Sequence, residues 1–508
     1  MNAHLVQIHG PLRLKPLAAG LASVFVLMQP VLAAPFDGMR IGHASGAAML
    51  QRSAAKPHRA QSVLPGRSPP TQVASLAVTS CLDDGQPDTL RLAVLAANPG
   101  DTINLSGLAC SKITLTNGAI NVLLDDLKIQ GPGAFALTID GNQTDRVFKH
   151  SGAGTLTLTD LTIANGTYAA DKAYGGCIYS KGSVTLTRAT VTGCKALGQT
   201  AAVAGGALAF KDMSVDSSTV TDNLADAAIG QLQTAALGGG LLAQGPNGLT
   251  LRHSILSGNT VHAASGLAEG GGAVAEVMTV KYSTVSGNKA LAAGDVNNYS
   301  GAGGLGALYS LTMGGSTIDH NEADVAGGIL IGGSSGFATI LQSTISSNKG
   351  KLAVGGIDST CPLSLANSTV AFNTGGALGG GGMVVGSNSN ATLQSSILAD
   401  NSPSDFDGSL AVSGSNNLVK VLGPNSAAMP GDNIKLDPLL QPLAFNGGAT
   451  RTHALGAGSP ALEGGSNIVN LPADQRGAEY ARVAGSFPDI GAIEFDSDHV
   501  FGDNFGEP

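Results

Sequence analysis

The sequence predicts an all-β solenoid, a single-stranded parallel β-helix with an N-terminal helical cap and a C-terminal capping region. First, a phrase of glycines, alternating strand residues and an asparagine returns along the chain, as in "GGALAFKDMSVDSSTVTDN" and "GGGLLAQGPNGLTLRHSILSGN". Second, the 508 residues include 72 glycines, about twice the ordinary share of ~7%. Third, only 12% of the residues are charged and 43% are hydrophobic, which argues against a disordered chain.

The asparagine that ends each phrase sets the register of the repeats. Consecutive asparagines are 25 to 36 residues apart, and Cys194 takes the same place one repeat earlier. Since neighbouring coils of a parallel β-helix lie ~4.8 Å apart, we expect these side chains to form a hydrogen-bonded ladder beside the glycine rows. The predicted ladder residues are Asn223, Asn259, Asn288, Asn321, Asn348, Asn373 and Asn401.

The residues between the glycines and the asparagine alternate in the way that strands do. In "MTVKYSTV", Met278, Val280 and Tyr282 are apolar, and Thr279 and Lys281 separate them. Units of this size cannot bury a face alone, so they must stack on one another. A β-propeller is the alternative architecture, but its blades are usually ~40 to 50 residues long and often carry aromatic signatures. The sequence contains no Trp.

The ends of the stack need caps. The segment "DTLRLAVLAANPGDTINL" predicts a short helix with Asp88 at its N-cap, and "NPG" ends it. One face of this helix carries an apolar stripe, formed by Leu90, Ala93, Val94 and Ala97.

Changes in pattern divide the chain into five parts. They are a signal peptide at 1–33, a flexible leader at 34–75, the capped β-helix at 76–401, the C-terminal capping region at 402–496 and a short tail at 497–508. Basic residues before a short apolar run and small residues at its end predict the signal peptide. A membrane anchor is the alternative, but a proline interrupts the run and no second apolar span follows, so we expect no span in the mature chain.

Export implies an oxidising compartment, in which the five cysteines are interpreted as partners for disulfides. Cys81 and Cys110 flank a compact segment and are expected to be bonded. Whether Cys177 and Cys194 form a second bond stays open at this point. Cys361 is then left over and is expected to be a small buried residue.

Two regions resemble a known family. "CLDDGQPDTLRLAVLAANPGDTINL" at 81–105 resembles the N-terminal cap of bacterial extracellular right-handed parallel β-helix proteins, which share the pectin-lyase-like fold and are related to polymorphic outer-membrane protein repeats. "DPLLQPLAFNGGATRTHALGAGSPALEGG" at 437–465, "DQRG" at 474–477 and "DIGAIE" at 489–494 are similar to the choice-of-anchor Q region.

The resemblance implies a secreted protein or one displayed at the cell surface of a bacterium. It does not imply one activity, because this fold hosts lyases, hydrolases, epimerases and adhesins. In the C-terminal motif, Arg451 lies beside His453 and Arg476 lies near Asp474. We expect arginine and aspartate there to tie the cap together through charge-assisted hydrogen bonds.

The densest group of titratable residues is "STIDHNEADVAGG", which contains Asp319, His320, Glu322 and Asp324. These residues are candidates for acid–base catalysis or for binding calcium. The alternative is a solvated turn with ordinary charges, and we favour it because no second cluster lies at the same register in adjacent coils.

A row of charged residues follows the corner residue of several repeats: Lys195, Lys289, Glu322 and Lys349. It is either a carbohydrate-binding ridge or a ladder of exposed ion pairs, each contributing ~0 to 1 kcal/mol. We favour the ion-pair ladder, and Lys289 and Lys349 remain candidates for binding.

Four tyrosines are candidates for stacking on sugar rings: Tyr168, Tyr174, Tyr179 and Tyr299. Packing between coils is the alternative role for them. No Cys–His metal spacing is present, so apart from calcium at the acidic cluster no metal or other cofactor is predicted.

The sequence therefore favours a secreted or surface-displayed scaffold over an enzyme. Such a scaffold would bind a carbohydrate or a surface or matrix protein through its variable loops. Nucleic acid is not an expected partner, because the net charge is −9 and the repeats contain no basic patch. The alternative is a polysaccharide lyase or hydrolase that acts on uronate-containing glycans.

Overall fold

The chain forms an all-β parallel solenoid, which confirms the predicted fold class. The computed structural model describes residues 74–227, 234–292, 298–333 and 336–495. The predicted signal peptide, almost all of the predicted leader and the predicted tail lie outside the described residues. We divide the solenoid strands, numbered in chain order, among four parallel sheets, which the coils from β7 (Phe148–His150) to β35 (Lys349–Gly350) visit in the order I, II, III and IV.

Sheet I follows the glycine row of each coil. Its strands, all paired in parallel, are β4 (Ile120–Val122), β7 (Phe148–His150), β11 (Ile178–Ser180), β15 (Ala207–Ala209), β20 (Leu241–Ala243), β25 (Ala273–Lys281), β29 (Leu305–Gly314), β32 (Ile329–Ile331), β36 (Ile357–Ser359), β39 (Met383–Val385) and β42 (Phe406–Gly408).

Sheet II comes next, and the second halves of β25 and β29 continue into it after a register shift. Its other strands are β1 (Ser75–Ala77), β2 (Thr102–Asn104), β5 (Leu127–Gln130), β8 (Thr155–Thr159), β12 (Ser183–Thr187), β16 (Met213–Asp216), β21 (Leu249–Arg252), β33 (Phe337–Leu341), β37 (Leu363–Ala366), β40 (Asn390–Gln394) and β43 (Ala411–Ser415).

Sheet III lies between the two sharp corners of each coil. Its twelve described strands are β3 (Lys112–Thr114), β6 (Thr138–Asp140), β9 (Thr162–Ala164), β13 (Thr190–Thr192), β17 (Thr219–Thr221), β22 (Ile255–Ser257), β26 (Thr284–Ser286), β30 (Thr317–Asp319), β34 (Thr344–Ser346), β38 (Thr369–Ala371), β41 (Ile397–Ala399) and β44 (Leu418–Val419).

Sheet IV is built from the segments between the asparagine corner and the next glycine row. Its described strands are β10 (Thr167–Tyr174), β14 (Lys195–Val203), β18 (Leu224–Ala227), β19 (Thr234–Leu237), β23 (Thr260–Ala263), β24 (Gly266–Glu269), β27 (Lys289–Leu291), β28 (Tyr299–Ser300), β31 (Glu322–Ala323) and β35 (Lys349–Gly350).

Like residues stack on like residues along the interior of the solenoid. Met278 and Val280 pair in register with Leu249 and Leu251, and all four are buried in the main core. Alternate residues of these strands point outward, as the sequence pattern predicts. Tyr282 departs from this pattern, because it lies at the corner with φ of 50° and its side chain is exposed.

The seven corner asparagines form a continuous hydrogen-bonded ladder. In each step the side-chain Nδ2 and the backbone N of one asparagine donate to Oδ1 of the asparagine in the next coil, as in Asn288 to Asn321, where both distances are 2.9 Å. The ladder begins where Cys194 N donates to Asn223 Oδ1 at 3.0 Å. It ends where Asn401 Nδ2 donates to Asp405 Oδ1 at 2.8 Å.

The glycine rows lie directly against this ladder. A Cβ at Gly304 would lie 2.6 Å from Gly328 O in the next coil and 3.2 Å from the Asn321 side chain. Because contacts under 3.0 Å are not tolerated by a real Cβ, only glycine fits between the coils here. The recurrence of glycine with asparagine therefore has one physical origin.

A second ladder of serines occupies the other sharp corner, between sheets II and III. Ser254 N donates to Ser283 Oγ at 3.1 Å, and Ser283 N donates to Ser316 Oγ at 3.1 Å. These serines lie five residues before the ladder asparagines, and the row is Ser218, Ser254, Ser283, Ser316, Ser343, Ser368 and Ser396. The serine ladder was not among the predicted features, although the repeated phrase contains it.

The N-terminal end is closed by helix α1 (Leu90–Ala96), whose apolar stripe is buried as predicted. The helix begins one residue later than predicted, because Thr89 and not Asp88 is the N-cap. The Asp88 carbonyl instead accepts hydrogen bonds from the amides of Thr79 and Ser80, which holds it outside the helix.

Two disulfides join Cys81 to Cys110 and Cys177 to Cys194. The first confirms the predicted bond, and the second settles the pairing that the sequence left open. Cys361 is free and buried.

Parallel pairing continues past Asn401 through β42, β43 and β44 before the chain turns back. The C-terminal region then forms an antiparallel hairpin of β45 (Leu440–Ala444) and β46 (Thr452–Leu455) and packs across the outer face of sheet III. Thr344 Oγ1 donates to Gln475 Oε1 at 2.7 Å, and Ala492 N donates to Thr369 Oγ1 at 3.1 Å. No helix among the described residues is long and apolar enough to span a membrane.

The Asn288→Ala variant should lower the free energy of unfolding by at least about 2 kcal/mol. The substitution removes Asn288 Oδ1, which accepts hydrogen bonds from the backbone N and Nδ2 of Asn259. It also removes Asn288 Nδ2, which donates to Leu256 O and Asn321 Oδ1, and the site is fully buried. Urea denaturation would measure the change. The exposed Asn390→Ala is the matched control, and equal midpoints for the two variants would contradict the importance of the ladder.

Candidate ligand-binding trough

The acidic cluster does not assemble into one site. Asp319, at the end of β30, has a fully buried side chain and forms an ion pair with Arg451 of the C-terminal region. His320 Nδ1 lies 3.0 Å from Asp319 Oδ2, and its ring is mostly exposed. Asp319 therefore helps to bind the C-terminal region to sheet III, and its carboxylate is not accessible to a substrate.

The remaining two acids of the cluster have other partners. Glu322 Oε1 lies 3.1 Å from Lys351 Nζ. Asp324 is buried, and its Oδ2 accepts a hydrogen bond of 2.9 Å from Ser300 N. Among the described residues, no group of three or more His, Cys, Asp or Glu side chains is arranged to hold a metal ion.

The predicted charged row is only partly continuous. Glu322 is in register with Lys289 and Lys349 on the neighbouring coils, but Leu224 and Thr260 separate Lys195 from them. Desolvation acts to raise the pKa of Glu322, but the hydrogen bond from Lys351 and the nearby lysine charges outweigh it. The pKa of Glu322 is therefore below its usual range, which makes it a poor proton acceptor at neutral pH.

The variable segments form a ledge beside sheet I. Each leaves the asparagine corner in one strand of sheet IV and returns in another, so that β18 is followed by β19 and β23 by β24. The outgoing and returning strands enclose an apolar layer made almost entirely of alanine: Ala202, Ala225, Ala227, Ala236, Val261, Ala263, Ala268, Ala290 and Ala323. Over these coils the variable segments are therefore not irregular loops but strands that pair in parallel from one coil to the next.

The ledge packs against the outer face of sheet I, and we call the surface along this junction the trough. Its apolar sides meet in one cluster, which comprises Val203, Leu237 and Leu267 on the ledge with Leu208, Leu242 and Val274 on sheet I. A cavity of about 210 Å³ opens on the sheet I side of the trough, over β20, β25 and β29. It is lined by Leu242, Ala243, Gln244, Val274, Ala275, Glu276 and Leu308.

Three of the four candidate tyrosines lie along this trough. Tyr174, Tyr179 and Tyr299 are half-buried and pack against its apolar cluster, as does Phe210. The rings of Tyr179 and Phe210 meet edge to face, with centroids 5.6 Å apart. Burial raises the pKa of Tyr174 and of Tyr179, so both hydroxyls stay protonated and can donate hydrogen bonds.

The fourth candidate, Tyr168, lies at one end of the trough beside Arg146. The Arg146 guanidinium is 3.2 Å from the centre of the Tyr168 ring and 5.2 Å from that of Tyr179. Its Nε also donates to the carbonyls of Tyr174 and Gly175, so Arg146 holds these tyrosines in place.

A buried carboxyl, Glu269, joins the ledge to sheet I. It ends β24, its Oε1 accepts a hydrogen bond of 3.2 Å from Ala302 N, and its Oε2 has no hydrogen-bond partner among the described residues. Gly301 and Gly306 leave the space that the carboxyl occupies. Desolvation raises the pKa of Glu269 to about 8, so the group is largely protonated at neutral pH.

A second buried acid, Asp358, lies in the same outward row of sheet I as Gly306. Gly306 pairs with Leu330, and Leu330 pairs with Asp358. Desolvation raises the pKa of Asp358 to about 7. Neither Glu269 nor Asp358 was among the predicted site residues, since only their burial distinguishes them from ordinary surface acids.

Among solved structures, the chain is similar to pectate lyase Pel9A, with a TM-score of 0.41 and 13% sequence identity over 84% of this chain and 98% of that chain. At this identity and TM-score the likeness carries no conclusion about what this chain does. No family model matches the sequence, and no curated protein matches it.

The protein should become less stable as the pH rises from about 7 to 9, where the lowered pKa values of the buried His150 and His453 no longer oppose the change. The folded-state pKa values of Glu269 and Asp358 are about 8 and about 7, and both lie above the unfolded values. The stability that these two acids contribute is therefore full below their unfolded pKa values and is lost as the pH rises through the folded ones. Thermal unfolding across this range would show the change. Glu269→Gln should flatten the dependence and raise the midpoint at pH 9, and the exposed Glu276→Gln is the control. A midpoint for Glu269→Gln that follows the unmodified protein at every pH would contradict the assignment.

Proposed function

We propose that this protein is an exported, non-catalytic β-helix that binds carbohydrate in the trough beside sheet I. The observation that supports this most is the group of half-buried rings of Tyr174, Tyr179 and Tyr299 against one apolar cluster. Aromatic rings present flat apolar faces, which suit the C–H faces of sugars, and tyrosine hydroxyls add donors at the edge.

The polar residues of the trough suit the same kind of ligand. Gln244 and Glu276 line the cavity beside Leu242 and Val274. Amide and carboxylate groups beside an apolar surface can bind sugar hydroxyls while the ring packs on the apolar side. The cavity of about 210 Å³ lies below the ~300 to 1,000 Å³ of a typical small-molecule pocket, so it suits a single sugar ring.

The alternative, a lyase or hydrolase acting on uronate-containing glycans, has less support from the geometry. A lyase needs a free base near the sugar C5 proton and a cation beside the uronate carboxylate. Asp319 is covered and paired with Arg451, and Glu322 is paired with Lys351. The carboxylate of Glu276 in the cavity lining would repel a uronate.

Export and surface display are part of this proposal. Two disulfides support an oxidising compartment. The segments 437–465, 474–477 and 489–494 resemble the choice-of-anchor Q region, and 81–105 resembles the N-terminal cap of bacterial extracellular β-helix proteins. Both resemblances support display at a bacterial surface. A surface or matrix protein is the other partner that such a position would offer.

Replacing Tyr179 and Tyr299 together by alanine should weaken glycan binding at least about tenfold, since each ring contributes ~1 kcal/mol of stacking. Affinity electrophoresis across a panel of neutral and acidic polysaccharides measures this directly. Phe487→Ala, which removes a well-exposed ring in the C-terminal region, is the matched control.

The same panel tests the enzymatic alternative. We expect neither unsaturated-product absorbance nor new reducing ends, with or without calcium. Turnover that disappears in His320→Ala or Lys289→Ala would overturn the non-catalytic assignment.

A further inference from the structure

The outer face of sheet II carries an uninterrupted row of hydroxyl side chains, which we call the hydroxyl ladder. From Thr157 on β8 to Ser413 on β43, the strand of every coil presents Ser or Thr at the central outward position. Thr250, Thr279 and Thr312 are consecutive members near its middle. All members are half-exposed or exposed.

These hydroxyls are free to bind something outside the chain. Within the described residues, the members from Thr157 to Ser364 make no hydrogen bond through their hydroxyls, and only Thr392 and Ser413 bond one another, at 3.0 Å. The corner serines differ, because each of their hydroxyls accepts a hydrogen bond from a backbone amide of the preceding coil. The ladder is therefore not needed to hold the coils together.

Another face of the same solenoid shows what such a row can do. On sheet III, outward threonines bind the C-terminal region, with Thr344 donating to Gln475 and Thr369 accepting from Ala492. A row of threonines on this solenoid thus serves as a docking surface, with each hydroxyl acting as donor or acceptor.

Exposed rings border the middle of the ladder. Phe337 lies two residues before Thr339 on the same face of β33 and is 55% exposed. Tyr309 and Tyr282 are 43% and 44% exposed, and Tyr282 stacks on His253 with centroids 5.4 Å apart.

Charge is sparse along this face. The ladder itself is uncharged, and the adjacent outward row holds Asp216, Arg252 and Lys281 on three consecutive coils. On the next two coils the same row continues with Gly314 and Leu341. A polyanion would find no continuous line of cations here.

We propose that the hydroxyl ladder binds an extended, neutral polysaccharide that lies parallel to the solenoid axis with one sugar on each coil. The coils repeat every ~4.8 Å, which is close to the advance of one equatorially linked pyranose in an extended chain. Sugar hydroxyls meet the Thr and Ser hydroxyls, and ring faces meet Phe337. An extended peptide fits less well, since its like-facing side chains recur every ~6.6 Å. The inference is independent of the trough, which lies on sheet I.

The test uses the full mature chain, with cellohexaose and amorphous cellulose as neutral probes and polygalacturonate as the acidic one. The variant Thr250→Val/Thr279→Val/Thr312→Val removes three hydroxyls and keeps the branched shape that strands favour. Its matched control is Thr190→Val/Thr219→Val/Thr284→Val on the outer face of sheet III. Circular dichroism and thermal unfolding establish that both triple variants are folded.

We expect the unmodified chain to bind the neutral probes and the ladder variant to bind at least about tenfold more weakly, as three lost hydrogen bonds imply. The sheet III control should keep this binding, and Phe337→Ala should weaken it. Absence of binding to neutral probes, preference for polygalacturonate, or equal losses in the two triple variants would each overturn the ladder site. Loss only in the tyrosine variant would support the trough as the glycan site and overturn the ladder.

Discussion

The buried asparagine corner is the interaction on which the rest of the structure depends. Each side-chain amide is bonded to the coil above and the coil below, as Asn259 and Asn321 are bonded to Asn288. An unmade hydrogen bond in this dry site would cost about 1 to 3 kcal/mol, so a shift of any coil by one residue is strongly disfavoured. Because the corner fixes how each coil aligns with the next, it also fixes the strand register in all four sheets. The rows of outward side chains on sheets I, II and III are continuous for that reason.

The parts of the fold that were predictable are those that repeat in sequence. Glycine and asparagine recur at one place in the phrase because the same close approach, as at Gly304, recurs in each coil. The serine corner was equally visible, since Ser283 lies five residues before Asn288 in the same phrase. The N-cap of α1 was misplaced by one residue because distant amides, those of Thr79 and Ser80, bind the carbonyl of Asp88.

The candidate site was only partly predictable, because it depends on segments of unequal length that share no register in the sequence. The tyrosines were recognised by residue type, but the ledge that gathers Tyr174, Tyr179 and Tyr299 appears only when the alanine-rich segments stack. The acidic cluster was predicted because its members are neighbours in sequence. The chain turns a corner between them, so their side chains have separate partners and form no common site. Asp319 finds its partner 132 residues further along the chain, a contact that no local pattern reveals.

The C-terminal region has a mechanical consequence for a protein fixed at that end. It crosses several coils of sheet III, from Ser286, which Arg451 contacts at 3.2 Å, to Ser395, which bonds Ser466 at 2.7 Å. A pull on the C-terminus therefore loads these lateral contacts together before it reaches the last coil at β44. The coils cannot separate one by one from the C-terminal end until the contacts between the C-terminal region and sheet III have broken. These contacts therefore carry the tension before the coils do.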